Sequence, residues 1–135
     1  MIFVLDTNVL VSAALGDGHC RDALQTALRI GKLAISTDTF LELVRVLERP
    51  RLQKYLREED KVDYLSGYLR ISKSFEPMER VLVCRDARDN MFLELALCCS
   101  ATAIVTRDAD LLTLGIFRGI PVMTVSNFMK KFHEQ

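Results

Sequence analysis

The sequence lacks the long apolar runs that targeting signals and membrane spans need. Its N-terminal apolar run, Ile2 to Leu5, is far shorter than the roughly 7–15 residues of a secretory signal. Its longest stretch without a charged residue, Leu95 to Thr106, has twelve residues, whereas a membrane helix needs about 20. These absences predict a soluble cytoplasmic protein with no membrane partner.

The sequence also lacks the motifs of several common chemistries. Its four cysteines include no C-x-x-C pair and have no histidine nearby, so neither a zinc site nor a disulfide framework is indicated. No P-loop or dinucleotide-binding glycine pattern occurs. The 18 basic and 18 acidic residues cancel, so a nucleic-acid partner would have to be bound by a local patch.

Short apolar runs alternate with helical patterns along the chain, and no linker divides residues 1–135. This alternation is typical of a mainly parallel sheet covered by helices on both faces. The predicted strands are Ile2 to Leu5, Leu33 to Ser36, Val81 to Cys84, Ala103 to Thr106 and Pro121 to Thr124. The predicted helices cover residues 20–31, 37–50, 58–73, 90–99 and 124–135, with a short one from Asp108. In the helix of residues 58–73 we expect Val62, Leu65 and Leu69 to face inward.

Acidic residues follow the first four predicted strands. Because right-handed crossovers bring the carboxyl ends of parallel strands to one edge of a sheet, we expect these acids to converge. Converging carboxylates either have raised pKa values or are neutralised by a cation. The acids at these positions are Asp6, Glu42, Asp86, Asp89, Asp108 and Asp110.

Each acid alone also has an ordinary structural explanation, because Asp caps helices and acids in a first turn are favoured by the helix dipole. Thr39 and Glu42 even fit the spacing of a capping box. Their convergence favours a metal site instead, and ligands that are all oxygens favour a hard divalent ion. Such an ion suits phosphodiester hydrolysis, since it lowers the pKa of a bound water and neutralises charge on the phosphate.

Several segments together resemble a known family. The stretches LDTNVLVSA, FLELVRVL, CRDARDNMFLELAL, AIVTRDADLL and GIPVMTVSNFM are similar, in this order, to those of PIN-domain ribonucleases, and in particular to the VapC toxins of prokaryotic toxin–antitoxin systems. The resemblance implies a single PIN-like domain with a three-layer α/β/α fold around a mainly parallel, five-stranded sheet. It also implies Mg²⁺ or Mn²⁺ as cofactor, RNA as substrate and a small antitoxin as partner. A homodimer is a further expectation.

The resemblance also implies roles for individual residues. Asn8 and Thr106 match the polar positions that accompany the acids in the family. Asp86 and Asn90 would contact the ligands and orient them without binding the metal themselves. Asp110 is expected to be exposed or to cap a helix, and a role as a further ligand stays open for it. The implied metal ligands and catalytic acids are Asp6, Glu42, Asp89 and Asp108.

Basic residues near the acids leave the function open. The chain has Arg107 where the family often has a small residue, and DARD where it often has D-P-x-D. Arg107, Arg85 and Arg88 could bind phosphate or could instead pair with the acids and close the site. A second basic cluster follows Glu42 and is either an ordinary solvated face or the candidate RNA contact. Its members are Arg45, Arg49, Arg51, Lys54 and Arg57, of which the first four are the candidate RNA-binding residues.

Three functions therefore remain open. The favoured one is a metal-dependent endoribonuclease that is the toxin of a toxin–antitoxin pair. The second is a non-catalytic PIN-like module that binds RNA or a protein, with its acids neutralised by arginines. The third is a phosphohydrolase like the haloacid dehalogenases, which share an Asp at the end of a strand. Asn8 counts against the third, because those enzymes typically carry a second Asp at that position.

Overall fold

The computed structural model describes residues 1–133 and contains one sheet of six strands in that range. The strands are β1 (Ile2–Leu5), β2 (Lys32–Ile35), β3 (Ser72–Ser74), β4 (Ala103–Val105), β5 (Ile116–Phe117) and β6 (Ile120–Met123). Their order across the sheet is β3-β2-β1-β4-β6-β5. Every neighbouring pair is parallel except β5 and β6, which form an antiparallel hairpin. The prediction of a mainly parallel sheet is confirmed, with six strands in place of five.

Helices cover both faces of this sheet. They are α1 (Thr7–Ala14), α2 (Gly18–Ile30), α3 (Thr37–Leu47), α4 (Glu58–Ile71), α5 (Asn90–Cys99), α6 (Ala109–Leu112) and α7 (Val125–Phe132). Because successive strand residues point to opposite faces, Phe3 and Leu5 pack with α1 to α4 and α7, whereas Val4 packs with α5 and α6. The predicted three-layer α/β/α arrangement is confirmed. Within residues 1–133, no helix has the length and apolar character to cross a membrane.

The predicted strand from Val81 to Cys84 is wrong, because this segment is irregular. Side chains of α5 accept hydrogen bonds from the backbone N–H groups of this segment, which would otherwise donate to a neighbouring strand. The N–H of Val81 donates to Oε2 of Glu94 at 2.9 Å, and the N–H of Cys84 donates to Oδ1 of Asn90 at 2.9 Å. The remaining parallel strand is β3, a polar Ser-Lys-Ser segment at the edge of the sheet that carries no apolar signal.

The helices also differ from the prediction in detail. α1 follows β1 directly and is not among the predicted helices, and α7 ends at Phe132, while residues 134 and 135 of the predicted last helix lie outside the described residues. In α4, Val62 and Leu69 are 59% and 48% exposed, whereas Lys61 is buried. The Nζ of Lys61 lies 2.8 Å from Oε1 of Glu58. Apolar spacing cannot reveal a buried charge of this kind.

Gly31, where α2 gives way to β2, provides a test of the packing beside the central strand. A Cβ atom at this position would collide with the backbone carbonyl of Met1, which is fixed because it accepts the N–H of Lys32 at 2.9 Å. We expect Gly31→Ala to lower the free energy of unfolding in urea by about 1–3 kcal/mol. The control is Gly67→Ala inside α4, where the new Cβ meets open space and should raise that free energy by about 0.5–1 kcal/mol. A Gly31→Ala protein as stable as wild type would contradict the prediction.

Candidate metal centre

Asp6 follows β1 and is buried at the carboxyl edge of the sheet. The residue is 3% exposed, and its Oδ2 accepts a 2.6 Å hydrogen bond from Oγ1 of Thr106. β1 pairs in parallel with β4, with Leu5 beside Val105, so the two residues that follow these strands are neighbours. Burial raises the pKa of Asp6, the Thr106 hydrogen bond opposes this shift, and the charge of Asp108 adds to it.

Thr106 also positions the next acid along the chain. Its Oγ1 accepts the N–H of Asp108 at 2.9 Å while it donates to Asp6. Asp108 in turn caps α6, because its Oδ1 accepts the N–H of Asp110 at 2.7 Å. One fully buried hydroxyl therefore holds two of the predicted ligands.

Asp89 brings a third carboxylate to the same place. It ends a short 3-10 turn, Ala87–Asp89, that leads into α5. The residue is 8% exposed, and its Oδ2 is buried with no hydrogen-bond partner among the described residues. Burial raises the pKa of Asp89 to about 7, and the nearby charges of Asp108, Asp6 and Asp86 add to the shift. A buried oxygen of this kind is costly unless a cation or a proton occupies it.

Asp110 lies closer to the other acids than expected. Carboxylate oxygens of Asp89, Asp108 and Asp110 lie within 4.8 Å of one another. Asp110 does not cap α6, since Asp108 does, and its Oδ1 lies 3.1 Å from the guanidinium of Arg85. Of the roles left open for Asp110, its place in the carboxylate cluster favours that of a further ligand over that of a helix cap.

Glu42 is bound by an arginine of its own helix. Arg45 donates from Nε to Oε2 of Glu42 at 3.0 Å and from Nη2 to Oε1 at 2.6 Å. The Glu42 side chain is 15% exposed, so this two-point contact is partly shielded from water. The capping box of α3 is formed by Ser36 and Thr39, not by Thr39 and Glu42. Glu42 is therefore free of a capping role.

The acids surround a cleft of about 160 Å³. All four predicted ligands line it, together with the supporting residues Asn8 and Asp86 and the basic residues Arg45 and Arg49. A larger cavity, about 430 Å³, lies beside the start of α7, but none of the residues that line it is acidic, so a cation is better suited to the cleft. The residues that line the cleft are Asp6, Thr7, Asn8, Glu42, Arg45, Val46, Arg49, Asp86, Arg88, Asp89, Phe92 and Asp108.

Other predicted residues lie outside the cleft, and one residue of the cleft was missed. Asn90 holds the segment before Asp86 in place, because its Oδ1 accepts a hydrogen bond from the N–H of Cys84. Arg51 and Lys54 are exposed and do not line the cleft. Thr7 was missed: it is buried, lines the cleft, and has an Oγ1 without a partner in residues 1–133. The signal that could have found it is its place between Asp6 and Asn8.

The three arginines beside the acids each have a separate partner. Arg107 turns away from the cleft, so it does not close the site. Asp6, Asp89 and Asp108 make no ion pair with a cationic side chain in the described part of the chain. Uncompensated carboxylates fit a hard divalent cation, which prefers oxygen ligands. The three pairs are Arg85 with Asp110, Arg88 with Asp86, and Arg107 with Asp17.

Comparison with known proteins assigns the chain to a family. Residues 3–110 match the PIN domain, and the chain therefore belongs to the PIN domain family. PIN domains are generally nucleases and typically bind divalent metals. The uncharacterized protein MJ1680 of Methanocaldococcus jannaschii is 30% identical over 114 residues, which cover 82% of this chain and 73% of that protein.

Two solved structures share the fold. One is VapBC2 from Rickettsia felis bound to a DNA fragment from its promoter, with a TM-score of 0.63 and 15% identity over 92% of this chain and 98% of that chain. The other is PAE2754 from Pyrobaculum aerophilum, with a TM-score of 0.66 and 19% identity over 100% of this chain and 91% of that chain. The resemblance to VapC-like PIN domains that the motifs indicated is confirmed at the level of family and fold.

The raised pKa of Asp89 predicts a pH-dependent stability of the metal-free protein. The folded state favours the neutral carboxyl, because its pKa rises from 3.8 to about 7. The resulting stability is complete below the ordinary pKa and is lost as the pH rises through the folded one. Asn mimics the neutral form, so Asp89→Asn in EDTA should be more stable than wild type by roughly 1–3 kcal/mol near pH 8, with little gain near pH 4. Urea unfolding at the two pH values measures the difference.

Asp86→Asn is the control with the opposite sign. Hydrogen bonds from the side chain and backbone of Arg88 lower the pKa of Asp86, so the fold favours its ionised form. We expect no stabilisation by Asp86→Asn near pH 8. An equal gain for both variants would show that Asp89 is not the source of the effect.

Proposed function

We propose that this protein is a Mg²⁺- or Mn²⁺-dependent endoribonuclease and the toxin of a toxin–antitoxin pair. The observation that carries the proposal is the convergence of Asp6, Asp89 and Asp108 in one cleft, with no cationic partner within residues 1–133. The orphaned Oδ2 of Asp89 adds to it. Membership of a family whose members are generally nucleases supports phosphodiester hydrolysis as the reaction.

In this proposal the side chains of the cleft have distinct tasks. Asp6, Asp89 and Asp108 bind the divalent ion, and Glu42 completes the ligand set. Thr106 fixes the relative positions of Asp6 and Asp108 through its two hydrogen bonds. When bound, the ion would supply charge neutralisation at the scissile phosphate and a lowered pKa of water. Asn8, exposed at the mouth of the cleft, orients water or substrate.

The basic cluster after Glu42 is proposed to bind the RNA backbone. Arg45 and Arg49 line the cleft beside the acids. Arg51 and Lys54 continue the same charge along the exposed segment that follows α3. Phosphate contacts of this kind position a strand without reading its sequence, so they support activity on RNA of varied sequence.

A non-catalytic binding module is the second candidate function. Three arginines of the cleft region pair with acids: Arg45 with Glu42, Arg85 with Asp110 and Arg88 with Asp86. If these pairs closed the site, calorimetric titration with Mn²⁺ would give no binding heat. The phosphohydrolase alternative is the least favoured, because Asn8 occupies the position of its second Asp and the chain belongs to the PIN family.

A protein partner is proposed to bind next to the cleft. The segment that precedes Asp86 exposes Met78 and Leu82, which are 97% and 89% accessible, and we propose that these two side chains contact the partner. The shared fold with VapBC2 supports a small antitoxin as the occupant, and a homodimer is the other proposed assembly. An informative observation is whether the neighbouring reading frame encodes a small protein that binds this one.

Asp6 and Asp89 provide the test of the reaction. Purified protein should cleave single-stranded RNA with Mn²⁺ or Mg²⁺ and stop in EDTA. Asp6→Asn and Asp89→Asn should each lower kcat by about a hundredfold or more, because loss of a direct ligand should cost at least as much as loss of a supporting group. Cleavage of labelled RNA measures the rates, and circular dichroism shows that the variants are folded.

Asp17→Asn is the matched control for the loss of a carboxylate. Asp17 lies outside the cleft, pairs with Arg107 and caps α2, and Asn caps helices as well as Asp does. This variant should keep the wild-type rate. Cleavage that survived both Asp6→Asn and Asp89→Asn would contradict the assigned site.

Arg49 provides the test of the RNA contact. In EDTA, where cleavage is blocked, Arg49→Gln should weaken RNA binding several-fold and reduce the slope of log affinity against log salt by about 0.7, as expected for one phosphate contact with a single strand. Fluorescence anisotropy at several salt concentrations measures both quantities. Arg118→Gln, on the turn between β5 and β6 and outside the cleft, should change neither. Equal effects of the two variants would contradict the proposed contact.

A further inference from the structure

Glu42 differs from the other predicted ligands in its present contacts. Both of its carboxylate oxygens accept hydrogen bonds from Arg45, at 3.0 and 2.6 Å. Asp6, Asp89 and Asp108 carry no such cationic partner in the described part of the chain. Of the four acids of the proposed site, Glu42 alone forms an ion pair with an arginine in the described part of the chain.

The carboxylate cluster of Asp89, Asp108 and Asp110 is already assembled without Glu42. Oxygens of these three residues lie within 4.8 Å of one another, and Glu42 is not a member of the group. Glu42 nevertheless lines the same cleft as Asp89 and Asp108, and so does Arg45. The acid and the guanidinium that holds it thus face the same cation site.

We propose that Arg45 is a positioning residue that withholds Glu42 from the cation site and releases it when a divalent cation binds. This inference rests on the proposed function and adds an order of events to it. Asp89 and Asp108, the two members of the cluster that pair with no arginine in the described part of the chain, make the first contact with the cation, and Glu42 then exchanges the guanidinium for the ion. Because the contact is bidentate and Glu42 is only 15% exposed, breaking the pair should cost Mn²⁺ binding about five- to tenfold, a cost that the double charge of the cation can offset.

The released guanidinium gains a second role. It remains on α3 at the wall of the cleft, where a phosphate group offers the same two-point geometry as the carboxylate that it has lost. When a cation binds, Arg45 therefore loses its contact with Glu42 and becomes available to bind a phosphate of the RNA backbone. The two binding events then favour each other, because each one breaks the Arg45–Glu42 pair.

Arg88 offers a matched comparison for Arg45. Both arginines line the cleft, and each pairs with an acid of the cleft through its guanidinium, Arg88 with Asp86. Removing either one takes the same positive charge from the cleft. The two differ in that Glu42 is a proposed ligand and Asp86 a supporting residue.

The test is calorimetric titration of the full chain with Mn²⁺ in the absence of RNA. Arg45→Gln should bind Mn²⁺ about five- to tenfold more tightly than wild type, because Glu42 no longer has to leave a partner. Arg88→Gln should gain no more than about twofold from the loss of a nearby charge. Arg45→Lys, which keeps the charge but not the two-point contact, should lie between wild type and Arg45→Gln.

A double-mutant cycle shows whether Arg45 acts through Glu42. In a Glu42→Gln background, Arg45→Gln should give no more gain than Arg88→Gln does, because the withheld ligand is absent. The side chain of Arg45 is about half exposed, so we expect all variants to fold, and their thermal melting in EDTA checks this.

The inference would be overturned by equal Mn²⁺ affinities of Arg45→Gln and Arg88→Gln, or by a full Arg45→Gln gain in the Glu42→Gln background. Failure of every variant to bind Mn²⁺ would overturn it as well. The proposed nuclease function fails separately. Absence of RNA cleavage with the Arg45 effect intact would overturn the function alone, and cleavage without any Arg45 effect would overturn this inference alone.

Discussion

The hydrogen bond between Thr106 and Asp6 is the contact on which the site depends. It joins the ends of β1 and β4, two strands at the centre of the sheet whose parallel register sets Leu5 beside Val105. The same hydroxyl accepts the N–H of Asp108, so the geometry of two acids follows from one buried side chain. A valine of similar shape would fit the space but would leave Asp6 without its donor, and an unpaired buried carboxylate is costly.

The price of this arrangement is electrostatic. Burial and mutual repulsion raise the pKa values of Asp6 and Asp89, so the metal-free fold places two carboxyl groups in an environment that disfavours their ionised form. A fold optimised for stability alone would replace them with apolar residues. Their presence is understandable if the carboxylates bind a cation, since stability is commonly given up where a site must be prepared for its ligand.

Much of the fold and of the site could be predicted because both depend on local patterns. The strands β1, β2, β4 and β6 are apolar runs, and the parallel pairing of β1 with β4 brings Asp6 and Asp108 to one edge. Asp89 reaches the same cleft from the turn Ala87–Asp89 ahead of α5, not from the strand that was predicted before it. Prediction failed where a side chain replaces a backbone partner or a charge is buried. Glu94 and Asn90 take the amides of the apolar segment near Val81, so it forms no strand. The burial of Lys61 depends on partners such as Glu58, which no periodicity displays.

The contacts between arginines and acids also exceed what spacing can predict, and their distribution bears on function. The paired acids Asp86 and Asp110 lie at the rim, where their ion pairs with Arg88 and Arg85 are partly solvated and therefore weak. The unpaired acids Asp6 and Asp89 are buried, where charges interact more strongly because water screens them less.

A cation entering the cleft would gain most at those buried acids, which no arginine has to leave. Arg85 and Arg88 at the rim therefore do not prevent the cation from binding. They are still close enough to the acids to bind a phosphate group. The ion pairs of Arg85 and Arg88 are the observation that favours a closed binding module. Because these pairs are partly solvated and weak, the arginines can exchange their acids for phosphate, which suits a nuclease better.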